Sequence, residues 1–149
     1  GSPRTVGTAG NPEFVEGRSR MRPQRTLIGG DFIVITLFVI LGLSSHDGIS
    51  LEGWARNAVP LIGAWLVIGL PLGVYRTEIA INLRAVLQRV AIAWPIAAIT
   101  GLVTRYLVVG HGLELSFIIV TILTNLVMLL AWRTAYTFVS RSKRGGVSS

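Results

Sequence analysis

The stretch GGDFIVITLFVILGLSSHDG, Gly29 to Gly48, decides how this chain is read. Between Asp31 and His46 lie fourteen residues, of which only Thr36, Ser44 and Ser45 are polar. A helix on the surface of a water-soluble protein interrupts its apolar residues with a polar stripe every third or fourth position. This one does not. About 18 to 20 apolar residues at 1.5 Å rise cover roughly 27 to 30 Å, the thickness of a bilayer's hydrocarbon core.

Working outward, three more blocks of this kind follow. The predicted spans are residues 27–45, 57–75, 90–108 and 115–132. Backbone groups in hydrocarbon must be bonded within their own segment, so each span is expected to be a helix. Over the whole chain 51% of residues are hydrophobic and 14% charged, with a mean hydropathy of +0.62. Soluble domains carry roughly a quarter charged residues. The expected fold class is therefore an all-α membrane protein, a four-helix transmembrane bundle occupying residues 21–139. A basic tail, 140–149, follows it. Residues 1–20, rich in Gly, Pro, Ser and Thr, read as an expression-tag remnant or a disordered tail.

Charge gives the spans a direction. Arg22 and Arg25 precede the first span; Arg76, Arg84 and Arg89 against Glu78 separate the second from the third; Arg133, Arg141, Lys143 and Arg144 follow the fourth. The other two connections hold Arg56 as their one basic residue. Lys and Arg accumulate on the cytoplasmic side, so both termini and the middle connection are expected inside, in the cell membrane. The same asymmetry accounts for the isoelectric point near 11.3 without nucleic acid as a partner; the bilayer takes that place. Thirteen of the fourteen basic residues are arginine and there is no cysteine, so disulfides and thiolate chemistry are excluded.

Three groups of residues are candidates for chemistry. Intramembrane charge is costly, about 2.5 to 3.5 kcal/mol at a helix centre on insertion scales, and normally faces a partner or a cavity. Asp31 falls about one turn inside the cytoplasmic end of span one, Arg105 about one turn from the outer end of span three, and Arg89 and Arg133 flank the inner interface. Asp31 has either arginine as a possible partner. Its two uses are a structural salt bridge and a proton- or ion-linked role. On span four, Thr121, Thr124 and Asn125 fall three and four apart and are expected on one face, to hydrogen-bond between helices or line a route. The third group is the outer-face cluster His46, Asp47, Glu52, His111 and Glu114. If the two outer loops approach each other, these could hold zinc or copper, although short polar loops contain such residues in any case. No cofactor is implied.

Packing chemistry is more abundant. Gly69 and Gly73 make a GxxxG in span two. Ala93, Ala97 and Gly101 recur every four residues in span three, with Arg105 continuing the line; small residues at that spacing let helices approach closely. Pro60, Pro71 and Pro95 are compatible with kinks, Pro60 near a helix start where proline is best tolerated. Aligning the two outer histidines sets Asp31 on Ile96 and Trp65 on Leu130, so no internal repeat is supported. There is no GxSxG, HExxH or P-loop.

Taken together, Gly30-Asp31, Ser45-His46, Arg56 with Pro60 and Gly63-Ala64-Trp65, Trp94-Pro95 with Arg105, and Trp132-Arg133 give a pattern across Thr26 to about Phe138. It resembles a family of small prokaryotic four-helix membrane proteins described only as a domain of unknown function. The resemblance implies fold and membrane location and carries no activity. Small multidrug-resistance transporters are a second comparison, but they use a glutamate within the first helix and a weak charge bias, and this chain has neither. The expected function is an accessory or interaction subunit acting through helix contacts, as a homo-oligomer or beside a larger membrane-protein partner. The alternatives are a small transporter or channel using Asp31, Arg105 and Asn125, and a lipid-modifying membrane enzyme.

Overall fold

The computed structural model describes residues 12–46, 48–76, 82–110 and 114–145. Among them are four helices: α1 (Pro12–His46), α2 (Leu51–Gly69), α3 (Leu83–Val109) and α4 (Leu115–Gly145). They stand in a ring, α1 against α2, α2 against α3, α3 against α4 and α4 back against α1, with the α2–α3 seam the most extensive. Neighbours run antiparallel. Trp65 of α2 meets Trp94 of α3 while Leu61 meets Gly101, and Arg133 near the end of α4 returns to Asp31 in α1.

Three of these helices are long and apolar enough to cross a membrane, over Pro23–Ser45, Leu83–Val109 and Leu115–Lys143. They outrun the apolar blocks that predict them, because a helix need not stop where its apolar residues do. The 27 residues of α3 measure about 40 Å, longer than a hydrocarbon core. At the other terminus, α1 takes in residues 12–20, which the sequence sets apart from the fold.

Most of the buried core is apolar, but the outer surface and the inward line of α4 depart from the pattern of a water-soluble protein. On α4 the inward positions step by four through Thr121, Asn125, Leu129, Arg133 and Thr137, four of the five polar. Outward positions are apolar: Leu41 is 61% exposed, Val67 72%, Leu107 76% and Val127 66%. In water that arrangement would leave an apolar surface far larger than soluble monomers carry. In hydrocarbon it is the expected one.

Helix α2 departs most from expectation. It begins at Leu51 behind an Ser50 cap, whose hydroxyl accepts from the Gly53 amide at 3.0 Å. It ends at Gly69 rather than running to residue 75. Pro71 has no amide to continue the ladder, and the chain closes in a Schellman motif: Val74 donates to the Gly69 carbonyl at 3.0 Å and Gly73 to Leu70 at 3.1 Å. Gly73 holds the left-handed position at φ +68°. The GxxxG reading of Gly69 and Gly73 is therefore corrected: the two glycines close one helix end and do not share a helix face. Pro60 is also misplaced by the sequence, since α2 starts earlier than its apolar block and sets this proline in the helix interior.

Small residues set the α2–α3 seam. Ala93, Ala97 and Gly101 are all buried. A Cβ on Gly101 would stand 3.0 Å from both the Leu61 Cα and the Pro60 carbonyl oxygen. Two backbones in contact leave no room for a side chain.

Candidate functional site

The polar centre lies at the arginine-rich end, where α1 enters the ring and α4 leaves it. Two adjacent pairs meet there in register: Gly30 with Trp132, and Asp31 with Arg133. Gly30 is needed because the Trp132 indole occupies the space of its missing side chain; a Cβ would fall 2.0 Å from the ring. That close approach delivers the Asp31 carboxylate to the Arg133 guanidinium. Arg133 Nη2 donates to Oδ2 at 2.5 Å and Nε to Oδ1 at 3.2 Å, a two-pronged contact with both side chains 1% exposed.

Two aromatic donors complete the carboxylate's shell. Trp65 Nε1 donates to Oδ2 at 2.9 Å and the Tyr75 hydroxyl to the same oxygen at 2.8 Å. Tyr75 reaches it only because the Schellman closure folds residues 74 and 75 back over the end of α2, with the Tyr75 ring 3.6 Å from where a Cβ on Gly69 would stand. The guanidinium is engaged on its other sides as well. Its Nη1 donates to the Val74 carbonyl at 3.2 Å, and its Cζ stands 5.0 Å from the Tyr75 ring centroid. Three helices and one turn therefore converge on a single buried ion pair. Such a pair is tolerable in a low-dielectric interior only when hydrogen bonds offset the lost water, and here Asp31 accepts four and Arg133 donates three.

Arg89 does not join Asp31. It crosses from α3 to the turn and donates from Nη1 to the Leu72 carbonyl at 2.7 Å, an acceptor that a helix end would otherwise leave without a partner. The turn thus has its open carbonyls satisfied by two arginines, Arg89 at Leu72 and Arg133 at Val74.

The middle of the molecule is aromatic and less completely bonded. Trp65 and Trp94 stack edge to face, 5.6 Å between centroids, and Trp94 Nε1 donates to the Ile122 carbonyl at 2.9 Å. Asn125 donates from Nδ2 to the Thr121 carbonyl at 3.1 Å, a bond within its own helix, while Asn125 Oδ1 and Thr121 Oγ1 are buried without a hydrogen-bond partner. Thr124 is exposed. Its expected place on the same polar face is corrected, because the buried line on α4 follows the step of four and the residue one position off it turns outward.

At the opposite end, Arg105 sits in the last turns of α3 with its guanidinium 5.6 Å from the Phe117 ring centroid. It lines a partly open cavity of about 420 Å³ with walls from all four helices and also a groove of about 530 Å³ between α2 and α3. Neither Asp31 nor Asn125 lines either of these spaces. Of the outer-face cluster, Glu52 is exposed and pairs with Arg56 one turn on, and the Glu114 carbonyl accepts from Ile118 at 3.1 Å at the start of α4. Asp47, His111 and the His46 side chain lie outside the described residues. Among the described residues no three His, Asp or Glu come together as a metal site.

With this geometry in place, comparison with known proteins identifies the chain. A family model for a protein of unknown function, DUF3054, matches residues 28–136. The chain belongs to DUF3054. The matched region runs from the first turn before Gly30 to Tyr136, and so contains both halves of the ion pair and all four tryptophans. The resemblance noted in the sequence to an uncharacterised family is borne out for the same part of the chain. No curated protein and no solved structure matches the DUF3054 chain.

Sequence reasoning named Asp31, Arg89 and Arg133 but missed Trp65 and Tyr75 as ligands of the carboxylate. The signal for Tyr75 was the P-x-G at residues 71–73, which marks a chain reversal rather than the end of a straight span.

Proposed function

We propose that this protein is a four-span integral protein of the cell membrane, with both termini and the α2–α3 connection cytoplasmic, acting as an accessory or interaction subunit through its helix faces. Charge supports the orientation: Arg56, the basic residue of the first outer connection, is neutralised by Glu52, whereas Arg76, Arg84, Arg133, Arg141 and Lys143 gather at the other end. Helix α2, 19 residues long, reaches about 28 Å and crosses together with its neighbours.

One observation carries the functional reading. Asp31 receives four hydrogen bonds from protein donors, three on Oδ2 and one on Oδ1, so most of its accepting capacity is committed. A carboxylate that relays protons or releases an ion needs an open position or a path to water, and this one is 1% exposed. The pair acts as a fastener that fixes α1, α4 and the turn after α2. The apolar outer faces are then available to lipid and to another membrane protein or a second copy.

The test is mild extraction from native membranes followed by affinity isolation through a C-terminal handle and quantitative mass spectrometry. A partner subunit recovered at fixed stoichiometry, or a defined homo-oligomer, is the expected result. A lone monomer that exchanges all co-isolated proteins on dilution would overturn the reading. The transporter alternative is favoured by one observation, the placement of Arg105 at a partly open cavity lined by all four helices, and loses the continuous route through Asp31 and Asn125. A solute flux abolished by Arg105→Gln would establish it instead.

A further inference from the structure

The polar pair in the middle of α4 is the feature that the fastener and the helix faces leave unexplained. Thr121 and Asn125 are both 0% exposed, and their spacing of four sets one above the other on the inward line. Asn125 Nδ2 is in use, donating to the Thr121 carbonyl at 3.1 Å. Asn125 Oδ1 and the Thr121 hydroxyl are not: each is buried with no hydrogen-bond partner. Buried side-chain oxygens as a rule have one, from protein or from ordered water. Four other helical threonines show what Thr121 forgoes. Thr100, Thr104, Thr134 and Thr137 each donate from Oγ1 to the carbonyl four residues back, at 2.8 to 2.9 Å. Thr137 does so on the same buried line as Thr121. The Trp94 indole, which reaches the same turn of α4, is already spent on the Ile122 carbonyl.

We infer that Thr121 and Asn125 together hold one water molecule in the interior of the ring. The chemistry of the two atoms selects it. An amide oxygen only accepts, whereas a hydroxyl both donates and accepts. The occupant therefore donates to Oδ1 and does either at Oγ1, which water does in the smallest volume. A divalent cation asks for about six or more oxygen ligands, and an anion would meet an accepting oxygen. Two protein partners satisfy the minimum for a buried water, which makes roughly two to four hydrogen bonds. The partly open cavity gives water its way in: Val120, the residue before Thr121, lines it together with Val39 and Leu61. Asn125 is thereby satisfied within one chain, and contact with another protein falls to the apolar outer faces. The site is independent of the role proposed above and stands whether or not a protein partner exists.

The experiment uses the full chain in detergent micelles and oxygen-17 relaxation dispersion of the solvent, which registers water oxygens held by the protein and is blind to protein hydroxyls. Thr121→Val should lose the signal of one held water relative to wild type, and Asn125→Leu the same, with circular dichroism and elution volume unchanged. Thr124→Val, one turn face away on the exposed side, should lose nothing. Unfolding in the same micelles gives a second reading. Thr121→Val keeps the shape of the side chain and removes its hydroxyl. Loss of a hydrogen bond to water should raise the unfolding equilibrium constant about two- to tenfold, whereas deleting a bare hydroxyl would lower it. Equal dispersion in wild type and Thr121→Val would overturn the proposal in either case. With a lowered unfolding constant the two oxygens are bare, and with a raised one the hydroxyl bonds the amide directly. A dispersion loss that Thr124→Val reproduces would place the water elsewhere and overturn it too.

Discussion

Replacing Arg133 by Gln tests the buried pair most sharply. In the wild type Asp31 takes two charge-assisted bonds from Arg133 and two bonds from the neutral donors Trp65 and Tyr75. The substitution removes the first two and leaves a carboxylate buried with the other two. Hydrogen bonds to charged groups contribute about 1.5 to 3 kcal/mol each, so the pair of them represents about 3 to 6 kcal/mol. Breaking a buried ion pair from one side costs about 3 to 5 kcal/mol by a separate line of measurement. The two ranges agree on a loss near 4 kcal/mol. Asp31→Asn should lose a similar amount, because it strands the guanidinium with the Val74 carbonyl and the Tyr75 ring. The double variant Asp31→Asn with Arg133→Gln leaves no buried charge and keeps a possible amide–amide contact, so it should be more stable than either single variant. Equilibrium unfolding in mixed micelles, followed by tryptophan emission, gives the four corners of the cycle. Single variants within about 0.5 kcal/mol of wild type, or strictly additive losses, would refute the account, since independent sites add to within that margin.

Other sites give smaller and more local effects. Gly30→Ala should prevent α1 and α4 from closing and reduce the yield of folded protein, whereas Gly29→Ala, whose Cβ meets nothing within 4 Å, should be neutral in the same purification. Gly73→Ala forces a side chain into the left-handed region beside Arg89 Nη1, 2.7 Å from the new Cβ; a loss of at least about 1 to 2 kcal/mol is expected in micelle unfolding. Trp94→Phe removes the bond to the Ile122 carbonyl and should cost about 1 kcal/mol, with the remaining emission shifting as its edge-to-face neighbour Trp65 loses its partner.

Membrane character was legible in the chain because it is written in composition. Blocks of about 18 to 20 mostly apolar residues have one common explanation, and arginine counts are one-dimensional. The helix ends were less legible. The block at residues 57–75 reads as one span because hydropathy does not register that Pro71 lacks an amide or that Gly73 can turn left-handed; the Schellman closure ends α2 six residues early, and the Ser50 cap starts it six residues early. Asp31 and the arginines were visible as costly residues, but a choice between Arg89 and Arg133 depended on which helix stood beside α1. That is a property of the ring order, and hydropathy carries no such information. The tryptophan and tyrosine donors were hidden for a related reason. In an apolar segment they look like interface or packing residues, and only the turn geometry brings their polar ends to one carboxylate. Thr124 erred in the opposite sense: i and i+3 share a face only loosely, and the inward line on α4 keeps to steps of four.

The most direct test of the central claim, that hydrocarbon surrounds four crossing helices threaded by arginine placement, uses the absence of native cysteine. Single cysteines at Gly48, Asn82, Glu114 and Ser142 are treated with a membrane-impermeant maleimide in intact cells and after permeabilisation. Gly48 and Glu114 should label from outside, and Asn82 and Ser142 only once the membrane is opened. Labelling of Gly48 and Asn82 from the same side would show that α2 does not cross, and labelling of Asn82 alone from outside would reverse the orientation; either result contradicts the account.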